Sequence, residues 1–295
     1  MGNSPTARAD IRRQINDFLS ARRGRLTPEQ AGLPAGIGNR RVRGLRREEV
    51  AALAGISVQY YIRLERGDVT GVSETVLDGI GRALQLADAE RGHLLELVRT
   101  GGGTRSCRRA LANTTLRPPV RRILDSMTAL PAVVFNARLD VIGANALGRA
   151  LYEPMATTGC GSANLARFVF ADPASRTFWR DWDTVADETA GLLRAEGGRN
   201  PCDHHLTGLT RELAATSTAF RDRWALHDVL VPSCGVRRIH HPVLGDLELP
   251  FETTPLASDP GQTLLIYTAE PGTPSDDAVK MLASWSARHP DAHQS

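Results

Sequence analysis

Apolar residues recur three and four apart along most of the first hundred positions, the spacing of one face of an α-helix. Ile11, Ile15, Phe18 and Leu19 form such a stripe and predict a helix from Ala9 to Arg23. In Leu45–Ala54 the pattern returns, with Val50, Leu53 and Ala54 on one side and Arg46, Arg47, Glu48 and Glu49 on the other. From Val58 to about Arg66, Tyr61 and Leu64 face inward. Ser73–Leu84 follows with Val76, Leu77, Ile80 and Leu84 inside, then Asp88–Val98 with Leu94, Leu95 and Val98 inside. These five short helices predict an all-α domain over 1–100.

After residue 119 the period becomes mixed. Val120–Ala129 has a helical pattern. Ala132–Phe135 and Leu139–Gly143 predict two strands joined by a turn at Asn136–Arg138. Helical spacing returns at Asn145–Leu151, over about 174–195, and near 204–214 and 218–226. Leu247, Leu249 and Phe251 alternate with polar residues and Pro250, Leu264–Thr268 is another strand pattern, and Ser275–Arg288 closes as a helix. Strands at both ends with helices between them predict an α+β domain with an antiparallel sheet over 120–295. Residues 101–119, with three glycines and two adjacent prolines, have the composition of a linker.

The junction inside the first domain carries the sharpest chemical signal. Gly55 takes a backbone conformation that a Cβ disfavours and ends one helix. Ser57 can cap the next, and Gly67 stops it. Helix, glycine turn, capped helix and stop describe a helix-turn-helix. The outward face of its second helix carries Val58, Gln59, Ile62, Arg63 and Arg66. Arginine can fork onto guanine, glutamine onto adenine, and valine can touch a thymine methyl. Arg46 and Arg47 at the preceding helix start suit phosphates. Tyr60 suits phosphate contact or packing. Arg40, Arg41 and Arg43 suit the DNA backbone or a minor groove, or form an ordinary basic loop.

Charge supports this division. The net charge of +3 conceals 22 arginines against 12 acids in residues 1–122, and 14 basic residues against 21 acids thereafter. A basic half beside an acidic one fits a DNA reader joined to a sensor or partner domain. No apolar run approaches the roughly 18 residues of a spanning helix, and the first residues have no apolar signal segment. A cytoplasmic protein with no membrane partner is expected. Cys107, Cys160, Cys202 and Cys234 have no paired spacing and suit reduced thiols.

GLRREEVAALAGIS and YYIRLERG, preceded by FLSARRGRLTPEQAGLP and NRRVRG, resemble the Xre-type helix-turn-helix regulators of actinobacteria. PAVVFNARLDVIGAN, FVFADPASRTFWRDWDTVA, FRDRWALHDV, HPVLGDLEL and LLIYTAEPGTPS resemble the MmyB-like ligand-binding domain, a PAS-like fold. The resemblance covers nearly the whole chain. It implies a transcription factor whose C-terminal domain senses a small molecule. It also implies base reading at Val58, Gln59 and Arg63, and phosphate binding at Arg47. The family's usual tryptophan before Asn145 is replaced here by Ala144, which implies a larger or differently shaped ligand site.

Within the second half, Phe135, Ala144, Trp179, Trp182 and Trp224 are candidate apolar ligand contacts, with Asn145 and His227 as orienting polar groups. Core packing is the competing role for each aromatic residue. Cys202 with His204 and His205, and Cys234 with His240 and His241, raise a metal site. Their spacing fits no zinc motif, and adjacent strand residues point to opposite faces. No metal or cofactor is expected, and no nucleophile elbow, P-loop or dinucleotide fingerprint is present. The expectation is a non-enzymatic, homodimeric regulator of double-stranded operator DNA, responding to a small apolar effector such as a fatty acid or similar lipid-like molecule. A metal-dependent hydrolase domain and a protein-interaction module are the alternatives.

Overall fold

The computed structural model describes residues 5–34, 43–102, 115–156, 163–200 and 203–288. The chain divides into two units. The first holds the described residues up to 102, together with Arg194–His204 and Arg223–Leu230. The second holds the remaining described residues. The sequence pattern predicts a single boundary near 101–119. The structure instead places two later segments in the first unit, because apolar spacing shows that a face is buried and not against what.

The first unit contains helices α1 (Pro5–Arg25), α2 (Arg47–Ala54), α3 (Val58–Glu65), α4 (Glu74–Ala83) and α5 (Asp88–Gly101). The predicted stripes form its core: Ile11, Ile15, Phe18, Leu19, Val50, Tyr61, Leu64, Ile80 and Leu94 are buried together. In α2 the prediction needs one correction. Ala51 is buried, whereas Leu53 is exposed. Gly55 ends α2 at φ 69° and donates its N–H to Ala52. Gly67 has φ 80°, and a Cβ there would lie 2.6 Å from the Arg12 backbone, so the stop after α3 is also a close approach to α1.

The second unit begins with α6 (Pro118–Ser126), β1 (Ala132–Phe135) and β2 (Val141–Ala144). Then come α7 (Ala146–Leu151), α8 (Glu153–Ala156), α9 (Leu165–Ala171), α10 (Ser175–Phe178) and α11 (Trp182–Arg199). After α12 (His204–Thr216) and α13 (Thr218–Ala225) the chain returns to strands β3 (Cys234–His241), β4 (Gly245–Pro255) and β5 (Thr263–Tyr267), and closes with α14 (Pro274–Arg288). Among the described residues the strands form one antiparallel sheet ordered β2-β1-β5-β4-β3. This is an α+β domain with helices inserted between the second and third strands, as the PAS-like resemblance implies.

Register sets the two faces of the sheet. Val133 pairs with Leu265, Phe251 with Tyr267 and with Gly235, and Arg237 with Leu249. Directly paired residues share a face, so Val133, Phe135, Tyr267, Phe251, Arg237 and Ile239 line one side. Ala132, Val134 and Leu264 line the other, packed with Leu124 of α6. The continuous helix predicted over 174–195 is broken between α10 and α11. Trp179 is extended and bridges Ile239, and the Arg180 N–H donates to the Arg238 carbonyl at 2.9 Å. Sheet pairing takes the backbone groups that a helix would have used. No helix among the described residues is long and apolar enough to cross a membrane.

Candidate functional site

In the first unit, the Ser57 hydroxyl accepts from the Tyr60 N–H at 3.1 Å and starts α3. Tyr61, Leu64 and Glu65 are buried on its inner side. Val58, Gln59, Arg63 and Arg66 are exposed, while Tyr60 is half-buried. Arg63 donates to Asp68 at 3.1 Å and lies 5.9 Å from the centroid of the Tyr60 ring. Both partners of that ion pair are well exposed, so it is worth little and competes weakly with a nucleic acid. Arg43 is exposed. Arg40 and Arg41 lie outside the described residues.

At the start of α2, the Arg46 backbone N–H donates to Glu49 at 2.6 Å. Its guanidinium is exposed, 3.4 Å from Glu48. Arg47 donates through Nε to Glu65. Its side chain stays 49% exposed while the Glu65 side chain is 1% exposed, so part of the guanidinium faces solvent. Glu65 also accepts from Arg23 Nε at 3.0 Å and from the Ser20 hydroxyl at 2.9 Å. Burial pushes the Glu65 carboxyl up, but the bonds from Arg47 and Arg23 outweigh it and hold the group below its ordinary value. The same contact raises Arg47. Glu65 is a buried tie between α1, α2 and α3 that sequence reasoning misses. Its one signal is helical spacing, four residues after the buried Tyr61.

In the second unit, buried aromatic rings cover the sheet face that carries Arg237. Tyr152 lies 6.2 Å from Phe135, 6.1 Å from Trp179 and 6.2 Å from Tyr267, centroid to centroid. The Tyr152 and Tyr267 hydroxyls are 2.6 Å apart. Burial drives both phenols up, Tyr152 well above its ordinary value and Tyr267 to about 12, so both are neutral. Arg237 pairs with Glu188 and sits 4.3 Å from the centroid of the Phe251 ring. The Trp179 Nε1–H is buried and meets no acceptor among the described residues. Tyr267 and Arg237 escape a sequence reading because cross-strand register sets their shared face, and Tyr152, at the end of α7, because tertiary packing brings it to Tyr267.

The predicted ligand residues separate into groups. Phe135 and Trp179 flank Tyr152, and Ala144 is buried opposite Val133. The orienting role expected of Asn145 is corrected. Its Oδ1 accepts from the N–H groups of Ala132 and Gly148, and its Nδ2 donates to the carbonyls of Met127 and Leu130. The amide is fully used in capping α7 and tying down the entry to β1. Trp182 donates to the Val169 carbonyl at 3.1 Å, packs on Phe170 and lies under Arg176. Trp224 and His227 belong to the first unit. Trp224 stacks under Arg194.

The second histidine pair has local partners. His240 meets Asp246 at 2.6 Å, while buried His241 accepts the N–H groups of Val243 and Leu244 in the β3–β4 turn. They alternate between exposed and buried sides, as a strand requires. Cys202 lies outside the described residues. No group of three or more metal-ligating side chains occurs among the described residues.

Comparison with known proteins agrees with this division of labour. A model of the MmyB-like transcription regulator ligand binding domain matches residues 116–282, and a helix-turn-helix domain model matches residues 17–94. No curated protein matches the chain.

Proposed function

The chain belongs to the MmyB-like transcription regulators, and on that premise we propose that it reads operator DNA through α3 and answers to a small apolar effector in its second domain. The carrying observation is the two-sided character of α3: Glu65 and Tyr61 lock one side, while Val58, Gln59, Arg63 and Arg66 face solvent on the other. Val58, Gln59 and Arg63 read base edges. Arg43, Arg46, Arg47, Tyr60 and Arg66 meet phosphates. One recognition helix spans few base pairs, so the protein binds as a homodimer on two half-sites. It acts in the cytoplasm as a regulator and not as an enzyme.

The effector assignment draws on the aromatic side of the sheet. Phe135, Ala144 and Trp179 offer apolar contact. Two phenols that share one hydrogen bond, the Trp179 N–H and Arg237 put donors among those rings. Apolar surroundings with a few donors suit a hydrocarbon that bears an acceptor headgroup, as a fatty acid does.

Selection of genomic fragments by the full-length protein, followed by footprinting, tests the DNA reading. An enriched sequence with two related half-sites is expected; enrichment of DNA without a common sequence overturns it. Native mass spectrometry of freshly purified protein reports the dimer and any retained acid. A monomer that takes up no long-chain fatty acid removes the second half of the assignment.

A further inference from the structure

Two short pieces of the chain's second half are built into the helix-turn-helix unit. Arg194–His204 and Arg223–Leu230 fall inside the span matched as ligand-binding domain, yet they belong to the unit formed by α1–α5. Ala195 and Val229 are buried in the same core as Ile15, Phe18 and Leu94. Gly198 lies against His93 so closely that a Cβ would be 2.4 Å from the imidazole. The packing is that of a folded interior.

Its polar contacts converge on α1. Arg22 is 8% exposed and reaches Glu90 at 3.1 Å, Asp228 at 2.9 Å and the His227 carbonyl at 2.5 Å. Arg25 also pairs with Asp228 and donates to the Leu226 carbonyl at 2.8 Å. A buried guanidinium without its acids is expensive, so this arrangement fixes the end of α1. His227 takes a left-handed backbone, φ 56°, to present the next residue. The neighbouring Arg23 holds Glu65 and donates to the Leu45 carbonyl at 3.0 Å. The end of α1 therefore grips Asp228 with one residue and the recognition helix with the next.

Resting on the DNA-reading assignment above, we propose that Asp228 is a positioning residue for operator binding: by holding Arg22 it fixes the turn of α1 from which Arg23 holds Glu65, and so sets how α3 is presented. Asp228 lies outside the matched helix-turn-helix domain. A segment of the sensor domain is in this way a working part of the DNA reader. Coupling of this kind between elements of one network commonly changes affinity several-fold or more.

The test uses the full-length protein and the operator recovered by genomic selection. Asp228→Asn is expected to weaken operator binding roughly tenfold, with an unchanged circular dichroism spectrum and faster amide exchange in α1 and α3. Asp228→Glu restores binding. If Asp228→Asn does not fold, Arg22→Lys keeps the charge, loses the fork and should show the same loss of affinity. Wild-type affinity and exchange in a folded variant overturn the proposal. If the unsubstituted chain recovers no operator, the DNA-reading assignment itself fails, and this inference with it.

Discussion

Arg22 and Arg23 are consecutive on α1 and serve different acids: Arg22 pairs with Glu90 and Asp228, and Arg23 with Glu65. The second pairing decides what supports the recognition helix. Glu65 is almost wholly buried and accepts from three side chains on α1 and α2. Removing its charge leaves Arg23 and Arg47 facing a neutral amide.

Glu65→Gln should therefore destabilise the first unit by about 3 kcal/mol, the scale for breaking a buried pair from one side. The lowered carboxyl pKa gives a pH signature. Between the folded value and the higher unfolded one, the unfolded chain binds more protons. The contribution of Glu65 is thus full above the ordinary carboxylate range and is lost as pH falls through the lowered value. Urea denaturation at pH 7 and at pH 3 checks both points: the variant should lose less stability than the wild type on acidification.

The two arginines of the proposed DNA-binding surface should respond differently to loss. Arg63→Ala removes a proposed base reader and should cost about 1–3 kcal/mol at one operator position while relaxing preference there. Arg47→Ala should weaken binding to all sequences alike and reduce the salt slope by about one. Titrations of each variant against single-base operator changes at several salt concentrations separate these effects. A base-specific loss for Arg47→Ala with an intact salt slope would exchange the roles.

The helix-turn-helix was legible because its signals are local. Gly55 and Ser57 act within one turn of their own positions, and Gly67 ends α3 as well as approaching Arg12. Glu65 was not, since an acid near a helix end usually faces water and its burial depends on Arg23, 42 residues earlier. The sheet was visible where the strand is a continuous apolar run, as in β1, or alternates, as in β4. It was obscure in β3, whose buried face includes Arg237 and His241. The grouping of Trp182, Trp224 and His227 with Trp179 followed residue type. The fold places Trp224 and His227 in the other unit.

Asn145 illustrates the same limit and yields a direct test. A buried amide with four bonds is a structural tie. Asn145→Ala removes a helix cap and leaves buried backbone groups unpaired, so a loss of about 2 kcal/mol is expected. Retained acid per folded protein should stay at the wild-type level. Unchanged thermal stability together with loss of bound acid would return Asn145 to the ligand site.

His93 adds to the acid sensitivity of the first unit. Its ring is packed edge-on against Phe18 and closed over by Gly198. Burial, followed by repulsion from Arg194, Arg199 and Arg22, lowers its pKa from 6.5 to about 3. Below pH 6.5 the unfolded chain takes up a proton that the folded chain refuses, so stability falls as pH falls. With those two values the penalty from this one residue reaches about 2 kcal/mol at pH 5. His93→Phe cannot be protonated and should flatten the decline between pH 7 and pH 5, even if its larger ring lowers stability throughout. Melting temperatures of the variant and the wild type across that range provide the measurement. Parallel curves would mean that the imidazole takes up its proton alike in the folded and unfolded chains.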